Sequence, residues 1–362
     1  MSQARDAAPA PPERPAGAAE EKQLIKCVVW DLDDTLWRGV LLEGDAVELR
    51  ENVADIVRTL DGRGVLQSVA SRNDHEQALG KLREFGLEEF FLYPQINWNS
   101  KRASIARIAE LLNIGLDAVA FIDDQPFERE EVAYSLPQVL CLDAAHLDRL
   151  LELPRLNPRF VTEDSRARRR MYLEDIERRR VEDEFVGSKE EFLAGLGMVF
   201  TIARATREDL QRAEELTLRT NQLNTTGRHY SYDELDRFRE SPRHLLLLTA
   251  LRDKFGSYGK TGLALVECGE EAWTIKLLLM SCRVMSRNVG AVLLGHVMRL
   301  AAGAGVTLRA DFVPNERNRM MYVTYKFAGF KEARRDGALT VLEHDLRRVP
   351  AAPSYVRVEV AD

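Results

Sequence analysis

Two adjacent aspartates, Asp123 and Asp124, follow the apolar run AVAFI in the stretch FIDDQPFERE. A second acidic group, Asp31, Asp33 and Asp34 with Thr35 behind them, follows the run KCVVW. Ser71, Arg72 and Asn73 follow VLQSVA, and Lys101 opens a helical pattern further on. Two unit charges about 4 Å apart repel by about 1 kcal/mol in water and about 4 kcal/mol near a protein surface. Carboxylates gathered at neighbouring strand ends therefore need something positive among them. For oxygen-only donors a hard divalent cation serves, and Mg2+ is the one that keeps several waters and takes a phosphate as ligand. The set suits phosphoryl transfer: a carboxylate nucleophile, a second carboxylate as acid and base, a hydroxyl and a lysine to hold the phosphate, and a metal. Each piece alone has an ordinary explanation, since DxD occurs in turns and SRND reads as a helix cap. Their joint occurrence at successive strand ends does not.

Strand-length apolar runs that alternate with helical patterns position these residues. KCVVW, VLQSVA, FFLYP and AVAFI are expected as strands, with helices around 50–61, 74–85 and 101–113 and after Pro126. That rhythm predicts an α/β fold, a parallel sheet covered on both faces, and ligands bind such sheets outside the carboxyl ends of the strands. A chain of 362 residues suggests roughly two domains. The expected division is a disordered tail over 1–22, rich in Ala, Pro and Glu, and a parallel-sheet domain over 23–154. A charged helical linker over 155–190, a second α/β domain over 191–345 and a tail over 346–362 follow. In the linker, EDSRARRRMYLEDIERRRVEDEF interleaves opposite charges at helical spacing and reads as a solvated helix. A net charge of −7 argues against nucleic acid as the main partner. No apolar stretch is long enough for a membrane span, and the start lacks a signal-peptide pattern, so the expected location is cytoplasmic. The cysteines, Cys27, Cys141, Cys268 and Cys282, form no CxxC pair and indicate neither a zinc site nor a disulfide scaffold.

The second region carries its own candidate chemistry in WTIKLLLMSCRVMSRNVGAVLLGHVMRLAAGAG, residues 273–305. An apolar strand runs into a polar loop, Arg287 to Ala291, and then into a helix. Such a loop offers backbone N–H groups and a helix N-terminus to a phosphate. Cys282 lies at the end of the strand before the loop. Only a few per cent of a thiol with pKa about 8.5 is thiolate at neutral pH, and a cation such as Arg283 or Arg287 favours the thiolate. Cys282 is thus either a nucleophile or a small buried hydrophobe. Cys27, Cys141 and Cys268 read as core filler. His296, on an apolar helix, reads as a satisfied core histidine, His244 is undecided, and neither is assigned as the base for the thiol. LTLRTNQLNTTGRHYSYDEL, residues 216–235, reads as a polar substrate loop or an internal loop network.

The motifs DLDDTLW, SRND, the Lys in NSKRASI, and FIDDQPFERE resemble the four motifs of the haloacid-dehalogenase superfamily of phosphatases, with a Rossmann-like domain. The resemblance implies Asp31 as the nucleophile that becomes an aspartyl phosphate and Asp33 as general acid and base. It implies phosphate contacts from Thr35, Ser71, Arg72, Asn73 and Lys101. Mg2+ would then be held by Asp31, Asp33 (through its carbonyl) and Asp123, with Asp124 in support. RNVGA and VPNERNRMMYVTYKFAGF resemble segments of GNAT-type acyltransferases, which implies a pantetheine groove with Arg287, Gly290 and Asn315. Together the two halves, with SCRVMSR and TNQLNTTG, resemble the FkbH-like family from about residue 24 to 345. That resemblance implies transfer of a D-glyceryl unit from 1,3-bisphosphoglycerate, with dephosphorylation, through a Cys282 thioester to a phosphopantetheinylated acyl carrier protein. The product would feed a polyketide extender unit such as methoxymalonyl-ACP. Two other readings compete: a Mg2+-dependent phosphatase with a C-terminal recognition domain, and a non-catalytic scaffold that binds a carrier protein.

Overall fold

β1 (Cys27–Trp30) is wholly buried and forms the middle of a five-stranded parallel sheet, because CVVW has an apolar side chain for each face. The computed structural model describes residues 23–44, 46–220 and 222–361, so the expected tail over 1–22 lies outside the described residues. β1 is followed by α1 (Val53–Gly62), β2 (Leu66–Ser71), α2 (His75–Glu84), β3 (Gln95–Ile96), α3 (Lys101–Leu112), β4 (Val119–Asp123), α4 (Pro126–Ser135) and β5 (Leu140–Asp143). The strand order is β3-β2-β1-β4-β5. Local sequence starts the helices: the Asp74 carboxylate caps α2 through Gln77 N at 2.9 Å, Ser100 caps α3 through Ala103 N at 3.3 Å, and Pro126 opens α4. One expected strand differs. FFLYP is a turn with a single bridge from Phe91 to Gln67, and the edge strand is the two-residue β3. Tyr93 takes φ 52°, and Pro94 has no N–H for a ladder, so pairing is postponed to Gln95.

The second domain is built on an eight-stranded mixed sheet. Before it lies α5 (Arg168–Glu184). The sheet elements are β6 (Met198–Arg204), α6 (Leu210–Arg219), α7 (Tyr232–Glu240), β7 (His244–Asp253), β8 (Gly256–Cys268), β9 (Ala272–Met280), α8 (Val289–Gly303), β10 (Thr307–Phe312), α9 (Arg319–Phe327), β11 (Lys331–Asp336), β12 (Leu339–His344) and β13 (Val356–Ala361). Their order is β11-β12-β10-β9-β8-β7-β6-β13. Two boundaries depart from expectation. The segment expected as a C-terminal tail supplies β13, which pairs parallel to β6 from Val356 with Met198 to Ala361 with Ala203. Its alternating VRVEVA fits a strand with one face on a core. The segment expected as a solvated linker is α5, with Arg168, Met171, Tyr172, Asp175 and Arg178 buried. It joins both domains: Arg169 pairs with Asp61 at 3.0 Å, and Arg178 pairs with Asp253 at 2.7 Å. Among the described residues no helix is long and apolar enough to cross a membrane.

Candidate active site

The carboxyl ends of β1, β2 and β4 meet around Lys101, the first residue of α3. Its ammonium is buried, pairs with Asp31, lies 3.1 Å from Asp123 Oδ2, and donates to Ala70 O at 2.9 Å. Oxygens of Asp31, Asp123 and Asp124 all lie within 4.8 Å of one another. Burial pushes the Asp123 carboxyl up, to about 6, with Lys101 opposing and Asp31 adding to the rise. Burial also raises Asp124, against the hydrogen bond from Thr35. Among the described residues Asp123 Oδ2 is buried with no hydrogen bond beyond its ion-pair contact with Lys101. A cluster of oxygen donors in which a buried carboxylate oxygen has only the lysine as partner fits a hard divalent cation, and Mg2+ suits it.

The remaining candidates are distributed around this cluster in specific ways. The Asp33 carboxylate stands outside the three-carboxylate group. It accepts from Trp37 Nε1 at 2.8 Å, Leu41 N at 3.1 Å and Asn73 Nδ2 at 2.9 Å. Asn73 is thereby a holder of Asp33. Thr35, expected on the phosphate, is engaged with Asp124: it donates to Asp124 Oδ1 at 3.1 Å and accepts from Asp124 N at 2.9 Å. Arg72 is paired with Glu128 at 2.8 Å. Ser71 is buried at the end of β2. The partnership of Arg72 with Glu128, which sits in the first turn of α4, went unread in the sequence. Its signal was an acidic residue just after a helix-opening proline.

Cys282 lies elsewhere, in the turn after β9, half-buried and a free thiol. It opens into a cavity of about 70 Å3 between the domains. The cavity is lined from the first domain by Lys26, directly before β1, from α5 by Arg168, and from the second domain by Arg212, Arg219 and Arg283, with Arg317 at the rim. Lys26 and Asp31 flank the same strand, so the two sites lie about 16 Å apart along it. Sequence reasoning missed Lys26, Arg168, Arg212 and Arg219, because a cluster drawn from three separate segments leaves no local motif.

The expected pantetheine groove is differently arranged. β9 pairs with β10 only over Ala272–Ile275, and beyond that the strands part. Residues 223–225 fill the opening: Met280 N donates to Leu223 O at 2.9 Å, Thr225 N to Leu278 O at 3.1 Å, and Val313 N to Thr225 O at 3.0 Å. TNQLNTTG is thus an internal loop network at this point. Arg287 is buried, pairs with Glu182 at 3.2 Å and does not line the thiol's cavity. Gly290 sits in the first turn of α8, where an added Cβ would meet Met280 Cγ at 3.3 Å. The Asn315 side chain closes a turn by accepting from Arg317 N at 2.9 Å and Asn318 N at 3.0 Å. His244 is bonded to Ser241 at 2.8 Å. His296 is lowered by burial and by Arg299, and neither histidine lines the cavity.

Neither a protein-family model nor a curated protein matches the chain. Among solved structures the chain is similar to the N-terminal part of BF1531 from Bacteroides fragilis, described as containing a phosphatase domain complexed with Mg. The identity is 29%, the TM-score 0.34, and the match covers 41% of this chain and 43% of that one. The chain thus spans less than half the length of that protein's solved part. It is also similar to the ribosomal-protein-S18-alanine N-acetyltransferase of Escherichia coli, at 18% identity and TM-score 0.31, over 40% of this chain and 90% of that one. A third likeness is to the paiA N-acetyltransferase of Thermoplasma acidophilum in complex with coenzyme A, at 16% identity and TM-score 0.32, over 40% and 97%.

Proposed function

We propose that the protein loads a D-glyceryl unit from 1,3-bisphosphoglycerate onto the phosphopantetheine thiol of an acyl carrier protein, by way of a Cys282 thioester, and removes phosphate at the carboxylate cluster. The product, glyceryl-ACP, would serve a polyketide extender unit such as methoxymalonyl-ACP. One observation carries this reading: a single chain holds both a thiol facing a cation-lined cavity and a separate group of three carboxylates around a buried lysine. An acyl phosphate that also bears a phosphoester needs both.

The Cys282 thiolate attacks the acyl carbon, the C–S bond forms, and the C–O bond to phosphate breaks with its electron pair leaving on phosphate. The carrier's thiolate then attacks the thioester, and the Cys282 thiolate leaves. The exchange of one thioester for another is close to balanced in energy. At the other site the Asp31 carboxylate attacks phosphorus, and Asp33, held by Trp37 and Asn73, gives its proton to the departing alkoxide. Water then releases phosphate from the aspartyl phosphate. Asp31, Asp123 and Asp124 would hold the Mg2+, which supplies positive charge against the phosphoryl oxygens. Lys101 holds Asp31 in place by its ion pair.

Intact masses of protein and holo carrier after incubation with 1,3-bisphosphoglycerate test the reading. A glyceryl adduct on the carrier is expected from the native protein and none from Cys282→Ala, while Asp31→Asn should leave the adduct phosphorylated. Phosphate release without an adduct on either protein, and undiminished in Cys282→Ala, would leave a phosphatase with a C-terminal recognition domain.

A further inference from the structure

The cavity beside Cys282 carries more positive charge than its surroundings neutralise. Among the described residues six cationic side chains line it: Lys26, Arg168, Arg212, Arg219, Arg283 and Arg317. The carboxylates that pair with them among the described residues are Glu215, Asp164 and Asp117. Glu215 is shared, binding Arg168, Arg212 at 2.8 Å and Arg219 only at 4.0 Å. Lys26 and Arg283 have no carboxylate within ion-pair distance among the described residues. Lys26 donates to the Arg219 carbonyl at 2.7 Å, and Arg283 rests on the Met171 sulfur. Six cations against three carboxylates leave an excess of three positive charges around a small, half-enclosed space. Unpaired charge removed from water is costly, and an arrangement that retains it is matched to an anion. Burial, followed by the neighbouring Arg168, pushes the Arg219 guanidinium down, as expected where like charges face one another.

We infer that this cavity is a phosphate-binding pocket shared by the two domains, in which Lys26, Arg219 and Arg283 hold a small phosphorylated acid with its reactive carbon against Cys282. The volume of about 70 Å3 takes the phosphate group of a small acid, the rest of which extends into the half-open mouth beside Cys282, and excludes a macromolecule. Guanidinium forks match phosphate oxygens in pairs, while the lysine adds a point charge. Because Lys26 immediately precedes β1, the first domain supplies part of the second domain's reaction site. The inference rests on the proposed function only for the identity of the ligand as an acyl donor; the anion site stands on charge and placement.

Alkylation of Cys282 by iodoacetamide, followed by peptide mass at constant ionic strength, tests it. Inorganic phosphate and 3-phosphoglycerate are expected to slow the modification about tenfold relative to chloride, with the rates at Cys141 and Cys268 unchanged. Lys26→Met and Arg219→Met should each require about tenfold more phosphate for the same protection, the cost of one charge-assisted hydrogen bond, while Lys26→Arg retains most of it. Equal alkylation of the native protein in phosphate and chloride overturns the pocket, whatever the folding of the variants. Protection without glyceryl transfer to any carrier would remove the proposed function and leave the pocket. Transfer without protection would do the reverse.

Discussion

Thr35 grips Asp124 from two sides, donating to its carboxylate and accepting from its backbone N–H. Its hydroxyl is buried, so the geometry gives it the work of orienting a carboxylate of the metal-fitting cluster. Thr35→Val keeps the shape of the side chain and removes both hydrogen bonds. Partners that orient ligands in this way typically account for about 10- to 100-fold in metal affinity. The Mg2+ concentration for half-maximal phosphate release should therefore rise by about that factor, with KM for the phosphoester little changed at saturating Mg2+. A raised KM with an unaltered Mg2+ requirement would return Thr35 to the phosphoryl contact that the sequence resemblance implies. Asp33 makes the complementary case: three donors fix the orientation of its carboxylate, which stands outside the three-carboxylate group.

At the scale of elements, α5 does what its charge pattern concealed. Its exposed side does show the expected ladder, as where Arg180 meets Glu177 at 2.7 Å and Glu184 at 2.8 Å. The opposite side carries arginines into the interior, and Arg178, 1% exposed, binds both Asp253 oxygens at 2.7 and 3.0 Å over the Tyr258 ring. Removing one partner of a buried ion pair costs about 3–5 kcal/mol, because the other charge stays behind. Arg178→Met should lower the unfolding free energy read from urea titration by about that amount, whereas Arg180→Met should leave it nearly unchanged. Equal effects would return α5 to a solvated linker. The contrast explains what was legible. Strands with continuous apolar runs such as β1 and β4, and helices with caps such as α2 and α3, announce themselves locally, and so do the aspartates that follow those strands. The inward side of α5, the filling of the β9/β10 opening by Leu223–Thr225 and the pairing of β13 depend on partners far away in sequence, for which no local pattern is written.

For the whole molecule, the joint between domains is where charge and stability meet. Lys26 is lowered from 10.5 to about 8, by burial first; of the groups that face it, Cys282 and Asp117 oppose the fall, and Arg219 and Arg168 add to it. Its folded value lies below its unfolded one, so between about pH 8 and 10.5 the unfolded chain binds more protons and stability rises with pH through this group. The penalty is fully present below the folded value and relieved above the unfolded one. The whole fall amounts to about 3 kcal/mol at most, less what residual solvent access screens. Other groups titrate in the same range with the opposite sign, such as Cys27, whose thiol burial pushes up, so the informative quantity is the difference between native protein and Lys26→Met. That difference in unfolding free energy should rise by about 1–3 kcal/mol between about pH 7.5 and 10.5. A flat difference would mean that the lysine is hydrated and the joint open. Saturating phosphate should carry the rise to higher pH, because an anion beside Lys26 keeps it protonated in the folded state and converts the same repulsion into affinity.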